Sequence, residues 1–547
     1  MNAALRNNAL EFMQSTQSTE IDEGFVGPTL EYALSGLSCF DGKENWRFLH
    51  QIFFKAGGKT PRQKHVEASA DRLVFEYDAL TASYSLEPDK LVIGLEGDAE
   101  NVQARVFADI RHMYGDSQPG EHAVKQTKTG LLVERQGRSM TVHCSKAENV
   151  TASGASRHWW FPAENQERWI FEAGEISCAL PCEITVECKP VDKRKAPFFD
   201  LNRVRASGDY AENALVHERI KAFSSFCLNG FPEAGGLWFR NNWFRDAFEG
   251  LLNNYEFYEA ACPQAIDNAL GAARKTFKNG LIANRFSYYA NDKPLYFALD
   301  STLLYYLLCL KRGVFDFEEF KQTFGRFKQD ESEVFIDGLL YCPANYSWTD
   351  EKWGNRPTRL PADWPNEECA LIEINALWIE LLKQAGKTTH GALFKDLAAA
   401  SEREFKNNFL PGFPHAVSID GRLAPGFHSA KIIALALLDL PPKFVQKQFD
   451  LAKPFLAFKN KKLFGVAVNP SSDSWYQGKT VWPRDNPYLL RVLGKLGLMK
   501  TEKELLENSL EPGACLFYSQ ECYSFPDLKP LKSPIQYWSH FIQPFLE

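Results

Sequence analysis

The chain has 547 residues, 45% of them hydrophobic and 24% charged, with a formal net charge of −7. This composition excludes a disordered or fibrous protein. The mild acidic excess, without a long Lys/Arg cluster, excludes the basic face of a dedicated nucleic-acid binder. At about 150 residues per domain, the length predicts two to four domains. Aromatic residues are abundant, at 14%, and suit either a large core or flat surfaces for stacking sugar rings.

No targeting or membrane-spanning segment is apparent. The first residues lack a charged stretch followed by a long apolar run, and no window reaches about 18 uninterrupted apolar residues. The 12 cysteines are scattered and form no CxxC pair. We therefore expect reduced thiols in a cytoplasmic protein, no zinc site, no metal or organic cofactor, and no nucleic-acid or membrane partner.

Residues 1–190 predict a β-rich N-terminal domain. Short runs in which apolar and polar residues alternate are separated by turn residues, a pattern typical of a β-sandwich. The runs are RLVFEY (72–77), KLVIGLEG (90–97), GLLVERQ (130–136), SMTVHC (139–144), RWIFEAG (168–174) and EITVEC (183–188). The basic, Pro-containing stretch KPVDKRKAPFFD (189–200) predicts a connection between domains, and we place the linker at residues 191–207.

Residues 208–547 predict an all-α domain. The candidate helices are 208–227, 243–260, 264–278, 300–312, 316–328, 367–385, 390–408, 428–439, 443–458, 484–498, 502–509 and 534–546. Twelve helices in six pairs are the number that an (α/α)6 barrel needs. An α-solenoid is the alternative, but it should show a motif at fixed period, and the sequence has none.

Five segments of this domain combine Trp and Tyr with acidic residues, Asn and Arg. They are 236–251, 280–287 with 297–307, 345–357 with 372–378, 474–490, and 517–530 with 535–541. Carboxylates can accept hydrogen bonds from sugar hydroxyls, and aromatic ring faces can cover a pyranose. This combination predicts a pocket for neutral polyols. Hydrolysis of a glycosidic bond needs two carboxyl groups, one of them protonated, that converge from separate loops.

In order and spacing, seven motifs resemble the amylo-α-1,6-glucosidase domain of glycogen debranching enzymes in its shorter prokaryotic form, a member of the six-hairpin glycosidase superfamily. They are WFRDAFEGL, GLIANRF, ALDSTLLYYL, SWTDEK, IEINALWIELL, YQGKTVWP, and SQECY followed by IQYWS. IEINALWIELL is the closest match. The resemblance covers about 230–547 and implies an (α/α)6 barrel that acts on α-glucans in carbohydrate metabolism.

The resemblance also implies roles for individual residues. Asp350 in SWTDEK would be the general acid, and Glu521 in SQECY the general base that activates water, giving hydrolysis with inversion. The remaining implied residues bind substrate: Arg245, Asp246, Asp300, Glu373 and Asn375 would hold the terminal glucose, and Trp348, Trp378, Trp482 and Trp538 would stack on it or form walls.

The sequence departs from the family pattern at several motif positions. Phe244 replaces a Gly, Ala283 replaces a Pro, Tyr476 replaces a His, and Lys479 is an extra residue. An Arg-Pro-Asn-Gln element expected before the 428–439 helix is missing. These departures affect the expected linkage and chain-length preference.

Structural explanations are available for the same acidic residues. Asp350 could be a helix cap or a surface turn acid, and Asp246 and Asp300 could also be caps. Glu373 could be present because the helix dipole stabilises a carboxylate in the first turn of its helix. Asp473 is a rival to Glu521 as the general base.

Alternative functions are consistent with the same motifs. A glucoamylase-like α-1,4-glucosidase or a trehalase-like enzyme would use the same architecture, and a phosphorylase would hold phosphate with a pocket Arg. A non-catalytic carbohydrate-binding protein would keep the aromatic pocket but would tolerate loss of the acid pair. The sequence gives no oligomeric state.

Overall fold

The structure is a computed structural model that describes most of the chain. The described residues are 2–3, 13–15, 19–22, 36–40 and 45–547, except 70–71, 88–89, 113–114, 162–165, 191–196, 228–229, 237–241, 287–292, 329–333, 362–363, 365–367, 511–516 and 532–534. The start of the predicted linker and residues 237–241, near the start of the 236–251 segment, therefore lie outside the described residues.

The described N-terminal region is built from strands. They are β1 (Asn2–Ala3), β2 (Met13–Ser15), β3 (Thr19–Asp22), β4 (Gly36–Phe40), β5 (Asn45–Lys55), β6 (Gln63–Ala68), β7 (Leu73–Tyr77), β8 (Thr81–Glu87), β9 (Lys90–Glu96), β10 (Val102–His112), β11 (Ala123–Gln126), β12 (Gly130–Arg135), β13 (Arg138–Cys144), β14 (Ala147–Phe161), β15 (Gln166–Cys178) and β16 (Cys182–Lys189).

These strands form two antiparallel sheets that pack against each other. One sheet has the order β1-β6-β7-β8-β9-β16-β13-β12-β11, and the other has the order β14-β15-β10-β5-β4-β3-β2. Alternate residues along β9 and β16 are buried, as the period of two predicts, and strands such as β10 and β12 or β5 and β13 meet across the interface. The predicted sheet-rich N-terminal region is confirmed.

Helices dominate the chain after the linker. They are α1 (Ala214–Ala222), α2 (Phe244–Asn253), α3 (Tyr255–Ala261), α4 (Pro263–Arg274), α5 (Asp300–Arg312), α6 (Phe317–Phe327), α7 (Ile372–Ala385), α8 (Gly391–Phe409), α9 (Ala430–Leu437), α10 (Pro442–Ala452), α11 (Asn486–Lys495) and α12 (Met499–Ser509). Among the described residues, no helix combines the length and the apolar character needed to cross a membrane.

Short strands connect these helices and carry several of the motifs. They are β17 (Asn242–Trp243), β18 (Arg285–Phe286), β19 (Val334–Ile336), β20 (Leu339–Pro343), β21 (Lys352–Trp353), β22 (Arg356–Pro357), β23 (Glu368–Leu371), β24 (Ala416–Ser418), β25 (Leu423–Ala424), β26 (Leu456–Lys459), β27 (Lys462–Val466), β28 (Thr480–Val481), β29 (Cys522–Ser524) and β30 (Pro530–Leu531). The strands β28, β29 and β30 form one small sheet, which joins the YQGKTVWP and SQECY motifs.

Five helices pack in succession: α2 contacts α5, α5 contacts α7, α7 contacts α9, and α9 contacts α11. Their buried sides share one hydrophobic core with α4, α8 and α12. The helical C-terminal part is thereby confirmed, whereas closure into an (α/α)6 barrel stays a prediction.

Several predicted helices are wrong in detail: the start of 367–385 and the end of 443–458 are strands, β23 and β26, and two segments differ more. The segment 243–260 is two helices, α2 and α3, that meet at Asn254. The described part of the segment 534–546, residues 535–546, contains a 3-10 turn, Gln543–Phe545, and no α-helix. Part of its backbone bonds to other segments: the Tyr537 N–H donates to the Ala234 carbonyl at 2.7 Å, and the Ile542 N–H donates to Asn254 Oδ1 at 2.7 Å. These tertiary bonds replace the helical ones.

Candidate active site

Arg245 brings two of the predicted site acids together. It lies in the first turn of α2, and its Nε is 3.0 Å from Oδ2 of Asp300, the first residue of α5. Its two terminal nitrogens donate to Oδ2 of Asp350, each at 3.2 Å. Because Asp350 lies on the loop after β20, Arg245 connects that loop to α2 and α5.

Gln477 holds the other oxygen of Asp350. Its Nε2 donates to Asp350 Oδ1 and to the Trp348 carbonyl, both at 3.1 Å, while its Oε1 accepts from the Glu351 N–H at 2.9 Å. The side chain of Asp350 stays 23% exposed, compared with 3% for Arg245. The Asp350 carboxyl group is therefore fixed in orientation and still reachable from solvent, which a purely structural ion pair would not require.

Glu521, the predicted general base, lies immediately before β29. It is buried, and its Oε1 accepts a hydrogen bond from the Tyr476 hydroxyl at 2.6 Å. Burial, together with the charges of Glu521 and Asp350, raises the pKa of Tyr476 well above its ordinary value. The charges of Glu521 and Asp350 therefore act on the same hydroxyl group.

The rival base has a different environment. The side chain of Asp473 is 84% exposed and forms an ion pair with Lys479 at 3.1 Å. A solvated carboxylate of this kind has none of the burial that Glu521 has.

Asp246 adds a fourth carboxyl group to those of Asp300, Asp350 and Glu521, and these four form the carboxylate cluster. Gln536 donates to Asp246 Oδ1 at 2.9 Å. Burial raises the pKa of Asp246 well above its ordinary value, and the charges of Glu249, Glu521 and Asp350 add to the effect that Arg245 opposes. Neither Asp246 nor Asp300 is the N-cap residue of its helix, because Trp243 and Leu299 hold those positions.

The buried carboxyl group of Asp300 predicts a pH-dependent stability. Burial raises its pKa to about 6, against the attraction of Arg245, whereas the unfolded value is about 3.9. Between these values the folded state binds the additional proton, so the contribution of Asp300 to the unfolding free energy falls as pH rises. Relative to Asp300→Asn, the wild type should lose about 2 kcal/mol between pH 4 and pH 7. Urea unfolding of both proteins at unit pH steps measures this difference, and two parallel curves would contradict the prediction.

Three of the four predicted tryptophans form one aromatic wall. The Trp482 ring centroid lies 5.7 Å from that of Trp348 and 5.8 Å from that of Trp538. The Arg484 guanidinium lies over Trp348 at 4.5 Å and over Trp538 at 5.1 Å, and it pairs with Glu249 and Asp485. Arg245 lies 6.0 Å from the Trp538 ring, so the wall borders the carboxylate cluster.

Several buried polar atoms next to this cluster have no hydrogen-bond partner among the described residues. They include Nε1 of Trp348, Nε1 of Trp538 and Oε1 of Gln536. Because buried polar groups are normally paired, these two donors and one acceptor can serve a ligand. Sugar hydroxyls can satisfy both kinds of atom.

The IEINALW segment supplies structural support at three predicted ligand positions. Both carboxylate oxygens of Glu373 pair with Arg359. The side-chain amide of Asn375 bonds to the backbone of Leu340 and Leu371. The Trp378 Nε1 donates to Ser401 Oγ at 3.1 Å, and its ring stacks on Phe320 and Phe324.

The structure therefore does not bring Glu373, Asn375 and Trp378 into the carboxylate cluster. Arg359 nevertheless connects Glu373 to the acid loop, since it also bonds to Ser347 and Thr349. These contacts assign Glu373 to support of the loop that carries Asp350.

Glu373→Gln should lower the unfolding free energy, because it leaves the buried Arg359 guanidinium without a counter-charge. Breaking a buried ion pair costs about 3–5 kcal/mol. The matched control is Glu380→Gln on the same helix, where the carboxylate bonds to Gln384, and there we expect a change within about 0.5 kcal/mol. Denaturant unfolding measures both variants, and equal stabilities would contradict the assigned role of Glu373.

Sequence reasoning did not identify several residues of the site. Gln477, Tyr476, Gln536, Arg359 and Arg484 orient the acids or the aromatic wall. Gln477 and Tyr476 lie within YQGKTVWP and Gln536 within IQYWS, so the motifs contained the signal. Arg484 lies within the Trp- and Arg-containing segment 474–490, whereas Arg359 carries no signal apart from being a basic residue just after the segment 345–357.

Comparisons with known proteins show a similar fold but do not show a family. No family model matches the sequence, and no curated protein matches it. A crystal structure of a bacterial glucoamylase complexed with acarbose is similar, with a TM-score of 0.60 and 10% identity over 99% of this chain and 95% of that chain.

Two further solved structures show weaker similarity. A GH78 family rhamnosidase of Bacillus sp. GL1 has a TM-score of 0.44 at 13% identity, covering 82% of this chain and 46% of that chain. A GH63 mannosylglycerate hydrolase from Thermus thermophilus in complex with glucose has a TM-score of 0.44 at 13% identity, covering 60% of this chain and 98% of that chain. The similarity to the bacterial glucoamylase shows that the chain has the fold of that protein, a glycoside hydrolase. Its membership of the debranching family stays a prediction.

Proposed function

We propose that this chain is an inverting, exo-acting glycoside hydrolase that releases glucose from α-glucans. The proposal rests on one observation. Two carboxyl groups from separate loops, Asp350 and Glu521, belong to the carboxylate cluster that the aromatic wall borders. Each has its own hydrogen-bond partner, Gln477 for Asp350 and Tyr476 for Glu521. Two differently held carboxyl groups are what acid and base catalysis of glycoside hydrolysis requires.

In this mechanism Asp350 donates its proton to the glycosidic oxygen as the bond from that oxygen to the anomeric carbon breaks. Glu521 accepts a proton from water, whose oxygen attacks the anomeric carbon from the opposite face, so the released glucose has the inverted configuration. The Tyr476 hydroxyl orients the Glu521 carboxylate. Arg245 orients Asp350, and the unpaired Nε1 donors of Trp348 and Trp538 meet sugar hydroxyls.

Two linkages have separate support. The seven motifs resemble the amylo-α-1,6-glucosidase domain, which favours hydrolysis of branch stubs in glycogen or maltodextrin. The fold similarity to the bacterial glucoamylase extends over 99% of this chain and includes the β-rich region, which favours a glucoamylase-like α-1,4-glucosidase as the second candidate.

A substrate panel tests the proposal and separates the two linkages. Glucose release is measured from isomaltose, panose, maltose, maltotetraose, trehalose and phosphorylase-limit dextrin, with the wild type and Asp350→Asn. Release from panose or limit dextrin that the substitution abolishes supports debranching, and release from maltotetraose alone supports the glucoamylase-like candidate. If nothing is hydrolysed and both proteins bind dextrin equally well, a carbohydrate-binding protein replaces the enzyme.

A further inference from the structure

Three cysteine thiols meet at one corner of the β-rich region, far along the chain from the acid cluster. Cys144 ends β13, Cys178 ends β15 and Cys182 begins β16. Their sulfur atoms all lie within 4.8 Å of one another, and the Cys178 thiol donates to the Val102 carbonyl at 3.7 Å. No sequence pattern indicated this group, because Cys144 lies on a strand far along the chain from the other two.

The topology explains why these thiols meet. The chain passes from one sheet to the other between β13 and β14, and it passes back between β15 and β16. The two connections lie side by side, since the Ser145 N–H donates to the Glu183 carbonyl at 2.9 Å and the Ala179 N–H donates to the Lys146 carbonyl at 3.2 Å. The backbone therefore holds the thiols in place independently of any bond between the sulfurs.

We propose that Cys144, Cys178 and Cys182 bind one thiophilic metal ion in three-sulfur coordination. Metal–sulfur bonds of about 2.3 Å in a trigonal plane place the sulfurs about 4 Å apart, a spacing that the group reaches with small movements. Soft thiolate ligands select ions such as Cu(I) and Zn(II). On binding, the thiols release their protons to solvent and three metal–sulfur bonds form without any change of oxidation state.

The surroundings of the group suit a small ion. The exposed fractions of Cys144, Cys178 and Cys182 are 0%, 1% and 8%, so only Cys182 offers an entry path. Among the described residues, the group includes no His, Asp or Glu ligand. The absence of a fourth side chain favours Cu(I), whereas Zn(II) would complete four-coordination with water.

Such an ion would connect the two sheets. Cys144 and Cys182 belong to the nine-stranded sheet, and Cys178 belongs to the seven-stranded sheet. Because the unfolded chain lacks the preformed site, binding stabilises the folded state. This inference does not depend on the proposed glycosidase activity.

Equilibrium dialysis of the reduced, metal-free protein against Cu(I) and, separately, Zn(II) tests the proposal. The wild type should bind one equivalent of at least one of the two ions, and its Tm should rise. Cys182→Ser should weaken that binding by more than about 100-fold, because even indirect partners of a metal contribute about 10- to 100-fold. The matched control is Cys262→Ser, a buried thiol outside the group, which should bind as the wild type does.

X-ray absorption of the loaded wild type keeps the test independent of how the variants fold. We expect a shell of three sulfurs at about 2.3 Å. A shell of nitrogen and oxygen, binding of less than one equivalent of both ions, or unchanged binding by Cys182→Ser would overturn the proposal.

Discussion

Asp350→Asn should lower kcat on the best α-glucan substrate by about 10²- to 10⁴-fold, the range over which a positioned general acid acts. The amide keeps the size of the side chain and can still accept from Arg245, but it has no proton to give to the glycosidic oxygen. Substrate binding should survive, because the aromatic wall and Asp300 are unchanged. Initial rates and isothermal titration with the same oligosaccharide measure the two effects separately.

A substrate whose leaving group needs no proton tests whether Asp350 is the general acid. Fluoride departs from α-glucosyl fluoride with little protonic help, so Asp350→Asn should hydrolyse this substrate at close to the wild-type rate. The neighbouring acid provides the control: Oε2 of Glu351 accepts from Ser474 and from the Gln477 N–H, which occupies it with protein partners. If Glu351→Gln loses hydrolysis of oligosaccharides and Asp350→Asn does not, the acid has been assigned to the wrong residue.

Local patterns predicted those parts of the fold that local physics determines. Alternation of apolar and polar residues identified the strands of the β-rich region because one face of each strand is buried there. The periodic segments 300–312 and 316–328 correspond to α5 and α6 within one residue at each end. By contrast, the apolar pattern of 534–546 resembles a helix, but Asn254 and the Ala234 carbonyl bind its backbone, and no pattern within the segment encodes those partners.

The same limit applies to the candidate site. The motifs predicted that Arg245, Asp300 and Asp350 belong together, and the structure joins them through one guanidinium group. They could not show that Trp378 faces Phe320 and Phe324, because a Trp in an apolar helix fits a core and a pocket equally well. The position of Glu373 depends on Arg359, which lies on a separate loop. Side-chain roles that depend on a distant partner follow from the tertiary structure alone.

Glu521→Gln should remove activity on every substrate, including α-glucosyl fluoride, by about 10²- to 10⁴-fold. Fluoride needs no acid, but water still needs a base, and the amide cannot accept the proton. Tyr476 can donate to the amide oxygen as it does to the carboxylate, so the geometry should be kept. Asp473→Asn is the matched control, and its exposed carboxylate, which pairs with Lys479, predicts a rate close to that of the wild type.

A second substitution of Glu521 tests from which face of the sugar ring the nucleophile attacks the anomeric carbon. Glu521→Ala leaves space for a small anion where the activated water would stand, so azide should restore turnover of α-glucosyl fluoride and give β-glucosyl azide. Formation of the α-azide would contradict inversion, and loss of activity in Asp473→Asn with retention in Glu521→Gln would transfer the base to Asp473. Because the acid variant keeps activity on the fluoride and the base variant loses it, the two substitutions together assign both roles from opposite responses to one substrate.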